Sequence, residues 1–168
     1  LGEVLKKYPN VLIATDDMYE HIKLEDYAFV NIVNACPELL PRSIVLNGVS
    51  KAYSMTGWRI GYCGGPEAII TAMENVQSQS TSNPTSISQV AAEAALNGDQ
   101  ACITPMVKAF RERHNYVVKR FNDMPGVQCL RAGGAFYAFP HVGRAIAALQ
   151  AKGGLKHATD LAVSQYLL

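Results

Sequence analysis

Three short apolar runs, rich in branched residues, are separated by polar or amphipathic stretches in the first part of the chain. They span residues 11–15 (VLIAT), 43–47 (SIVLN) and 58–63 (WRIGYC). Short runs that are mostly apolar are typical of strands buried on both faces. Strands of this kind, alternating with helical stretches, predict an α/β fold with a mainly parallel sheet.

Helical patterns follow these runs. Residues 67–79 begin directly after a proline, and residues 86–96 end at an Asn-Gly pair, which is a common C-terminal stop. Residues 99 to about 124 predict one long helix with a proline near its start, closed by the sequence MPG.

The pattern changes again after the long helix. Residues 127–130 and 135–139 predict two strands around the turn sequence RAGG. Further helix is predicted from about residue 142 and again from about residue 158. The second part of the chain therefore differs from the first, and no internal repeat links them.

The chain is predicted to contain parts of two domains. We assign residues 1–98 to the first, and residues 99–168 to a long interdomain helix and part of a smaller domain. Both ends of the chain continue a helical period without a cap or a Gly or Pro stop. We therefore expect an internal fragment, with further sequence on both sides.

Composition narrows the classes of function. The 168 residues are 49% hydrophobic and 17% charged, as in an ordinary folded domain, and the net charge of +1 leaves no basic surplus for binding nucleic acid. No apolar run has membrane-spanning length, so we expect neither a nucleic-acid nor a membrane partner. Four cysteines lie far apart, without zinc spacing, which predicts no metal site and a reducing cytoplasm. They are Cys36, Cys63, Cys102 and Cys129.

One lysine, Lys51, lies between the second and third predicted strands. Ser50 precedes it and Arg59 follows eight residues later, in the sequence SKAYSMTGWR. An uncharged lysine amine attacks carbonyl carbons, and a guanidinium offers a rigid fork of donors that suits phosphate. Taken alone, each is more often a solvated side chain or the partner of a nearby carboxylate.

Two further candidates follow the first predicted strand. Asp16 ends this strand and Tyr19 comes three residues later, in DDMYE. Ligands of parallel α/β sheets bind beyond the carboxyl ends of the strands, where Asp16 and Lys51 would both lie. An isolated Asp in this place is usually a cap, and an isolated Tyr is usually packing. The shared position indicates one ligand site.

The segment NGVSKAYSMTGWRIGY resembles the lysine motif of fold-type I pyridoxal phosphate enzymes, in particular class I aminotransferases of the aspartate aminotransferase kind. The family pattern is matched by Ser50, Lys51, Met55, Gly57 and Arg59. The stretches VLIATDDMYEHI, QSTSNPTSISQVAAEAAL and RAGGAFYAFP resemble other parts of that family, in the same order. The resemblance covers essentially the whole chain. It implies the C-terminal half of a large, mainly parallel-sheet domain and the start of an α+β small domain.

The resemblance also implies a cofactor and a role for each residue. Lys51 would form a Schiff base with pyridoxal 5′-phosphate and move the substrate proton, and Asp16, as a buried carboxylate, would keep the ring nitrogen protonated. Tyr19 would hydrogen-bond the ring oxygen, while Arg59 and Ser50 would hold the phosphate. The substrates would be an aspartate-like or aromatic amino acid and a 2-oxo acid, and the full-length protein would be a homodimer.

Departures from the family pattern leave alternatives open. Some relatives have a serine three positions before the lysine, where this chain has Gly48. The carboxylate-binding arginine, the phosphate loop and the stacking aromatic residue are expected outside the chain, so the fragment alone is expected to be inactive. A carbon–sulfur β-lyase would use the same lysine, and a non-enzymatic ligand-sensing domain of a regulator would share the fold.

Overall fold

A three-stranded sheet organises the first part of the molecule. In the computed structural model, which describes all residues from Leu1 to Leu168, the strand order is β1-β2-β3. The strands are β1 (Ile13–Asp16), β2 (Ser43–Gly48) and β3 (Gly61–Gly64). β1 runs parallel to β2, with Ile13 opposite Ser43 and Asp16 opposite Leu46. The predicted α/β class is confirmed.

The third strand departs from the predicted parallel arrangement. β3 is antiparallel to β2, with Gly48 opposite Gly61. A parallel return needs a crossover that carries the chain across one face of the sheet, usually on a helix. The link from β2 to β3 contains only a three-residue 3-10 turn, Thr56–Trp58, so the chain turns back beside the strand it has left.

The strands are also less buried than their apolar runs predicted. β2 has buried residues only at its two ends, Ser43 and Gly48, and β3 is mostly exposed. Within the residues described, β1 and β3 each pair with one strand only, so each leaves an open edge. The expectation of strands covered on both faces is wrong for this chain.

Seven helices accompany the strands. They are α1 (Gly2–Leu5), α2 (Ile32–Ala35), α3 (Glu67–Ser78), α4 (Ser86–Asn97), α5 (Ile103–Asn122), α6 (Gly143–Ala151) and α7 (Asp160–Leu167). The two helices predicted after the sheet agree with α3 and α4 to within one residue. The long helix starts later than predicted, because residues Gln100–Cys102 form a 3-10 turn capped by the Asp99 side chain. No helix is both long and apolar enough to cross a bilayer.

The tightest apolar cluster lies beside the loop that joins β2 to β3. Val49 is fully buried and Ile60 nearly so, and both pack with Ala92 of α4. Partly buried side chains surround this cluster: Tyr53, Met55 and Ala95. Val49 and Ile60 come from the two ends of the loop, so helix α4 anchors the loop at both ends.

The chain divides into two compact units, Leu1–Val107 and Lys108–Leu168, with the division inside α5. The second unit contains a short antiparallel pair, β4 (Gln128–Cys129) and β5 (Pro140–His141). β4 falls within the predicted residues 127–130. The strand predicted at 135–139 is wrong, because Ala135 adopts a left-handed backbone (φ 59°) and pairing begins only at Pro140.

Two side chains of α5 hold the segment that follows this helix. The Asn122 amide donates to the Cys129 carbonyl oxygen (2.9 Å), and its oxygen accepts from the Cys129 N–H (2.9 Å). His114, which is buried, accepts from the Ala132 N–H through Nε2 at 3.0 Å. Asn122 thus provides β4 with the hydrogen bonds that a neighbouring strand would provide.

Gly48 stands where a side chain has no room. A Cβ atom there would lie 2.8 Å from the Ile60 carbonyl oxygen and 3.1 Å from the Gly61 Cα atom, both of which are backbone. We predict that Gly48→Ser lowers the free energy of unfolding by about 1–3 kcal/mol, because the paired strand must move. Urea unfolding followed by circular dichroism measures this change.

Gly64→Ser in β3 is the matched control, since a Cβ atom at Gly64 meets nothing within 4 Å. We expect that variant to stay within about 0.5 kcal/mol of the original protein. Equal losses in the two variants would show that the crowding at Gly48 is not what matters.

The double hydrogen bond of Asn122 gives a second prediction. Asn122→Ala should lower the free energy of unfolding by about 1–2 kcal/mol, because both Cys129 backbone groups lose their partner. Asn115, which is exposed on the same helix, provides the control Asn115→Ala. A loss no larger than that of the control, in thermal or urea unfolding, would contradict the assigned role.

Candidate functional site

The residues proposed from the sequence lie at one end of the three-stranded sheet. Asp16 is the last residue of β1, at the carboxyl end that β1 shares with its parallel neighbour β2. Ser50 and Arg59 each lie two residues beyond the last pair of β2 and β3, Gly48 and Gly61. The pairing of the strands therefore brings Asp16, Ser50 and Arg59 to the same end of the sheet.

Lys51 and Tyr19 face each other at this edge. The Lys51 Nζ atom lies 5.8 Å from the centroid of the Tyr19 ring, within the range of a cation–π contact. Both residues are partly buried. The two neighbours of the Ser50-Lys51 pair, Val49 and Ala52, are 0% and 4% exposed. A partly accessible amine is thus held between two anchored residues.

The loop that carries Lys51 contains two strained positions. Ser54 and Arg59 both have φ near 55°, in the left-handed region that residues with a side chain avoid. Each such residue costs on the order of 1–3 kcal/mol, and the packing around it must maintain the conformation. The burial of Ile60, directly after Arg59, provides such packing.

Arg59 presents its guanidinium at the surface of the site. Its Nη1 atom donates to the Thr56 carbonyl oxygen at 2.8 Å, across the 3-10 turn that precedes it. The side chain is exposed, and a guanidinium has five N–H donors, so donors remain for an anion. The turn thus fixes one end of the guanidinium fork.

Asp16 and its neighbour Asp17 have opposite environments. The Asp16 side chain is exposed and accepts from the Met18 N–H at 3.2 Å, so its predicted burial is wrong for this chain. Asp17 is the buried carboxylate, at 5% exposure. It accepts from the Thr15 hydroxyl (2.7 Å) and the Asn31 side-chain amide (2.6 Å). The hydrogen bonds of Asp17 thus stabilise the end of β1. The Asp16 carboxylate is exposed and accessible to a ligand.

Sequence reasoning did not single out Asp17, Glu20 or Asn47. The Asn47 side chain donates to Glu20 Oε1 at 2.6 Å, and so links the turn after β1 to the end of β2. The one signal for Asp17 in the sequence is its place directly after the first predicted strand, where an Asp is usually a cap. No spacing in the sequence connects Glu20 to Asn47, 27 residues later.

The structure explains why this chain has glycine at position 48, where some relatives have serine. The crowding described above leaves no room for the serine that some relatives have at this place. The hydrogen bond that such a serine would give to a phosphate has no counterpart in this chain at that position.

Two tyrosines beside the site are held in their neutral form. Burial raises the pKa of Tyr62, and the negative charge of Glu20 raises it further. Burial also raises the pKa of Tyr53, with charge contributions from Cys102 and Glu20, although the hydrogen bond to Gln100 acts in the opposite direction. Both shifts raise the pKa of a phenol that is already protonated at neutral pH.

The side chains at this edge form a consistent set of donors and acceptors. The exposed Asp16 carboxylate can accept from a protonated ring nitrogen, and the Tyr19 hydroxyl can donate to an oxygen on the same ring. Ser50 and Arg59 can bind a phosphate, and the Lys51 amine can attack an aldehyde. This set of groups fits pyridoxal phosphate.

Curated proteins with similar sequences are aminotransferases. The chain is 64% identical over its full length to an aspartate/prephenate aminotransferase of Nitrosomonas europaea, and 46% identical to one of Cereibacter sphaeroides. It covers 42% of the length of each of these relatives.

Solved structures give the same result. The aspartate aminotransferase of Rhizobium meliloti superimposes with a TM-score of 0.82 at 47% identity, over 84% of this chain and 36% of that one. The structure therefore matches part of the fold-type I aminotransferase architecture, as the resemblance implied.

The family model described as aminotransferase class I and II matches residues 1–168. The similarity to the Nitrosomonas europaea protein over all of this chain and the superposition on the Rhizobium meliloti structure agree with this match. The chain belongs to the class I and II aminotransferase family.

Proposed function

We propose that the full-length protein carrying this chain is a pyridoxal phosphate-dependent aminotransferase, and that this chain supplies the lysine and much of the cofactor site. The single observation that carries the proposal is the placement of the Lys51 amine 5.8 Å from the Tyr19 ring, at the sheet end where Asp16 and Arg59 also lie. Membership of the family adds independent support.

Each residue has a distinct task in this proposal. Lys51 would hold the cofactor through its side-chain amine, and the same amine would carry the proton to and from the substrate Cα atom. Asp16 would keep the ring nitrogen protonated, and its carboxylate is exposed and so accessible for that contact. When bound, the cofactor supplies an electron sink for the Cα electrons.

The phosphate and ring oxygen have their own partners. Arg59 provides the charged donors for the phosphate, and its bond to the Thr56 carbonyl oxygen orients the guanidinium. Ser50 adds a hydroxyl donor beside it. Tyr19 would donate a hydrogen bond to the ring oxygen of the cofactor.

We propose aspartate as the amino donor, with 2-oxoglutarate and prephenate as candidate 2-oxo acid acceptors. The names of the two curated relatives, both called aspartate/prephenate aminotransferase, support aspartate and prephenate in this proposal. Assays of amino transfer from aspartate to each acceptor in turn test it. We also propose a cytoplasmic homodimer, as is usual in this family.

Replacing Lys51 tests the proposed chemistry. In the full-length protein, we expect Lys51→Ala to lower the rate of amino transfer by at least about 10³-fold, because the nucleophile and the proton carrier are lost together. Stopped assays with aspartate and 2-oxoglutarate measure this loss.

Lys108→Ala is the control, since Lys108 is exposed on α5 and is not among the proposed site residues. It should leave the rate unchanged. A Lys51→Ala variant that retained most of the activity would refute the proposal.

A second prediction concerns the chain on its own. The chain covers 42% of the relatives, so it lacks more than half of their residues. We predict no amino transfer from aspartate to 2-oxoglutarate by the isolated chain at concentrations where the full-length protein is active. Measurable turnover by the isolated chain would show that the remaining sequence is dispensable.

A further inference from the structure

We propose that Glu20 and Asn47 are positioning residues of the cofactor site, whose hydrogen bond holds the turn carrying Tyr19 against the loop carrying Lys51. The inference rests on the proposed function, since it concerns how that site is held together. Neither residue belongs to the set that would touch the cofactor.

The Asn47 side chain is used at both of its ends. Its Nδ2 atom donates to Glu20 Oε1 at 2.6 Å, and its Oδ1 atom accepts from the Gly48 N–H at 2.7 Å. One amide therefore joins the residue after Tyr19 to the backbone three residues before Lys51. Hydrogen bonds to a charged acceptor are shorter and stronger than neutral ones, and 2.6 Å agrees with such a bond.

A packing contact acts on the other side of Tyr19. A Cβ atom on Gly48 would lie 3.0 Å from the Met18 methyl carbon, so Met18 already covers the backbone at Gly48. Met18 and Glu20 are the two neighbours of Tyr19 in sequence. Tyr19 is thus bracketed by two contacts that both end on residues 47–48, directly before the Lys51 loop.

Glu20 has two possible effects on the site, one through its negative charge and one through its hydrogen bond to Asn47. The titratable groups around the Glu20 carboxylate are His21, whose Nε2 atom lies 3.4 Å away, and the phenols of Tyr53 and Tyr62. The other charged groups at this end of the sheet are the Lys51 amine, against the Tyr19 ring, the Asp16 carboxylate and the Arg59 guanidinium. Glu20 could act on the site through this charge alone, and the experiment must distinguish the two modes.

Exchanging the two partners makes that distinction. Asn47→Asp sets two carboxylates against each other and breaks the link. The double variant Glu20→Gln/Asn47→Asp restores the link with reversed polarity. In that variant the new amide at position 20 donates to the new carboxylate at position 47, which still accepts from the Gly48 N–H. The net charge of the pair is the same as in the original protein. Glu20→Gln alone removes the charge and keeps the acceptor for Asn47.

The readout is the pH midpoint at which the visible absorbance of bound pyridoxal phosphate changes, in the full-length protein. We expect Asn47→Asp and Glu20→Ala each to move this midpoint by about 0.5 of a pH unit or more, because Tyr19 and Lys51 are no longer held in register. Glu20→Gln and the exchanged pair should remain close to the original value. Glu74→Ala, on the exposed face of α3, should not change it.

Melting temperatures of the same samples show whether a shifted midpoint comes from loss of the folded structure or from displaced Tyr19 and Lys51 side chains. A Glu20→Gln shift as large as that of Glu20→Ala would assign the effect to charge and overturn the inference. If all variants bind the cofactor and keep the pH midpoint of the original protein, this inference is overturned and the proposed function is not. An original protein without the visible absorbance would instead overturn the proposed function, and this inference with it.

Discussion

The parallel pairing of β1 with β2 is the constraint on which the site depends. Because Asp16 lies opposite Leu46, the end of β1 and the start of the Lys51 loop share one edge of the sheet. The Asp17 N–H donates to the Leu46 carbonyl oxygen at 2.8 Å and extends this pairing by one residue. A slip of one residue would turn the Asp16 side chain to the opposite face. The register thus decides whether the acid and the amine can serve one ligand.

The loop around Lys51 is held rigid by apolar residues that have no proposed role in binding or catalysis. Val49 and Ile60 bury the two ends of the loop against α4, and this packing opposes the strain at Ser54 and Arg59. Strained backbone of this kind is common where side chains must be held ready for a ligand. The residues that would touch the cofactor are partly or fully exposed, whereas those that hold them are buried.

The sequence was most informative where periodicity and local motifs are strong. It predicted β1, β2, α3 and α4 with small errors at their ends, because these elements have clear apolar patterns and stops. It also proposed five site residues through a resemblance whose motifs are contiguous, and the roles of these residues stay predictions. It placed the second strand of the small antiparallel pair too early, since the aromatic residues at 135–139 favour strand although Ala135 is left-handed. Links between distant residues, such as Glu20 with Asn47, depend on the tertiary fold and leave no local pattern.

In the proposed function, the full-length protein holds its cofactor at the Lys51 amine. Borohydride reduces a carbon–nitrogen double bond between a lysine and the aldehyde carbon of pyridoxal phosphate, and so makes the link permanent. The most direct measurement is to reduce the full-length protein with borohydride, digest it and locate the labelled peptide by mass spectrometry. We predict that the label lies on Lys51, in the peptide that also contains Ala52 and Tyr53. A label on another lysine, or none in a protein that transfers amino groups, would contradict the account.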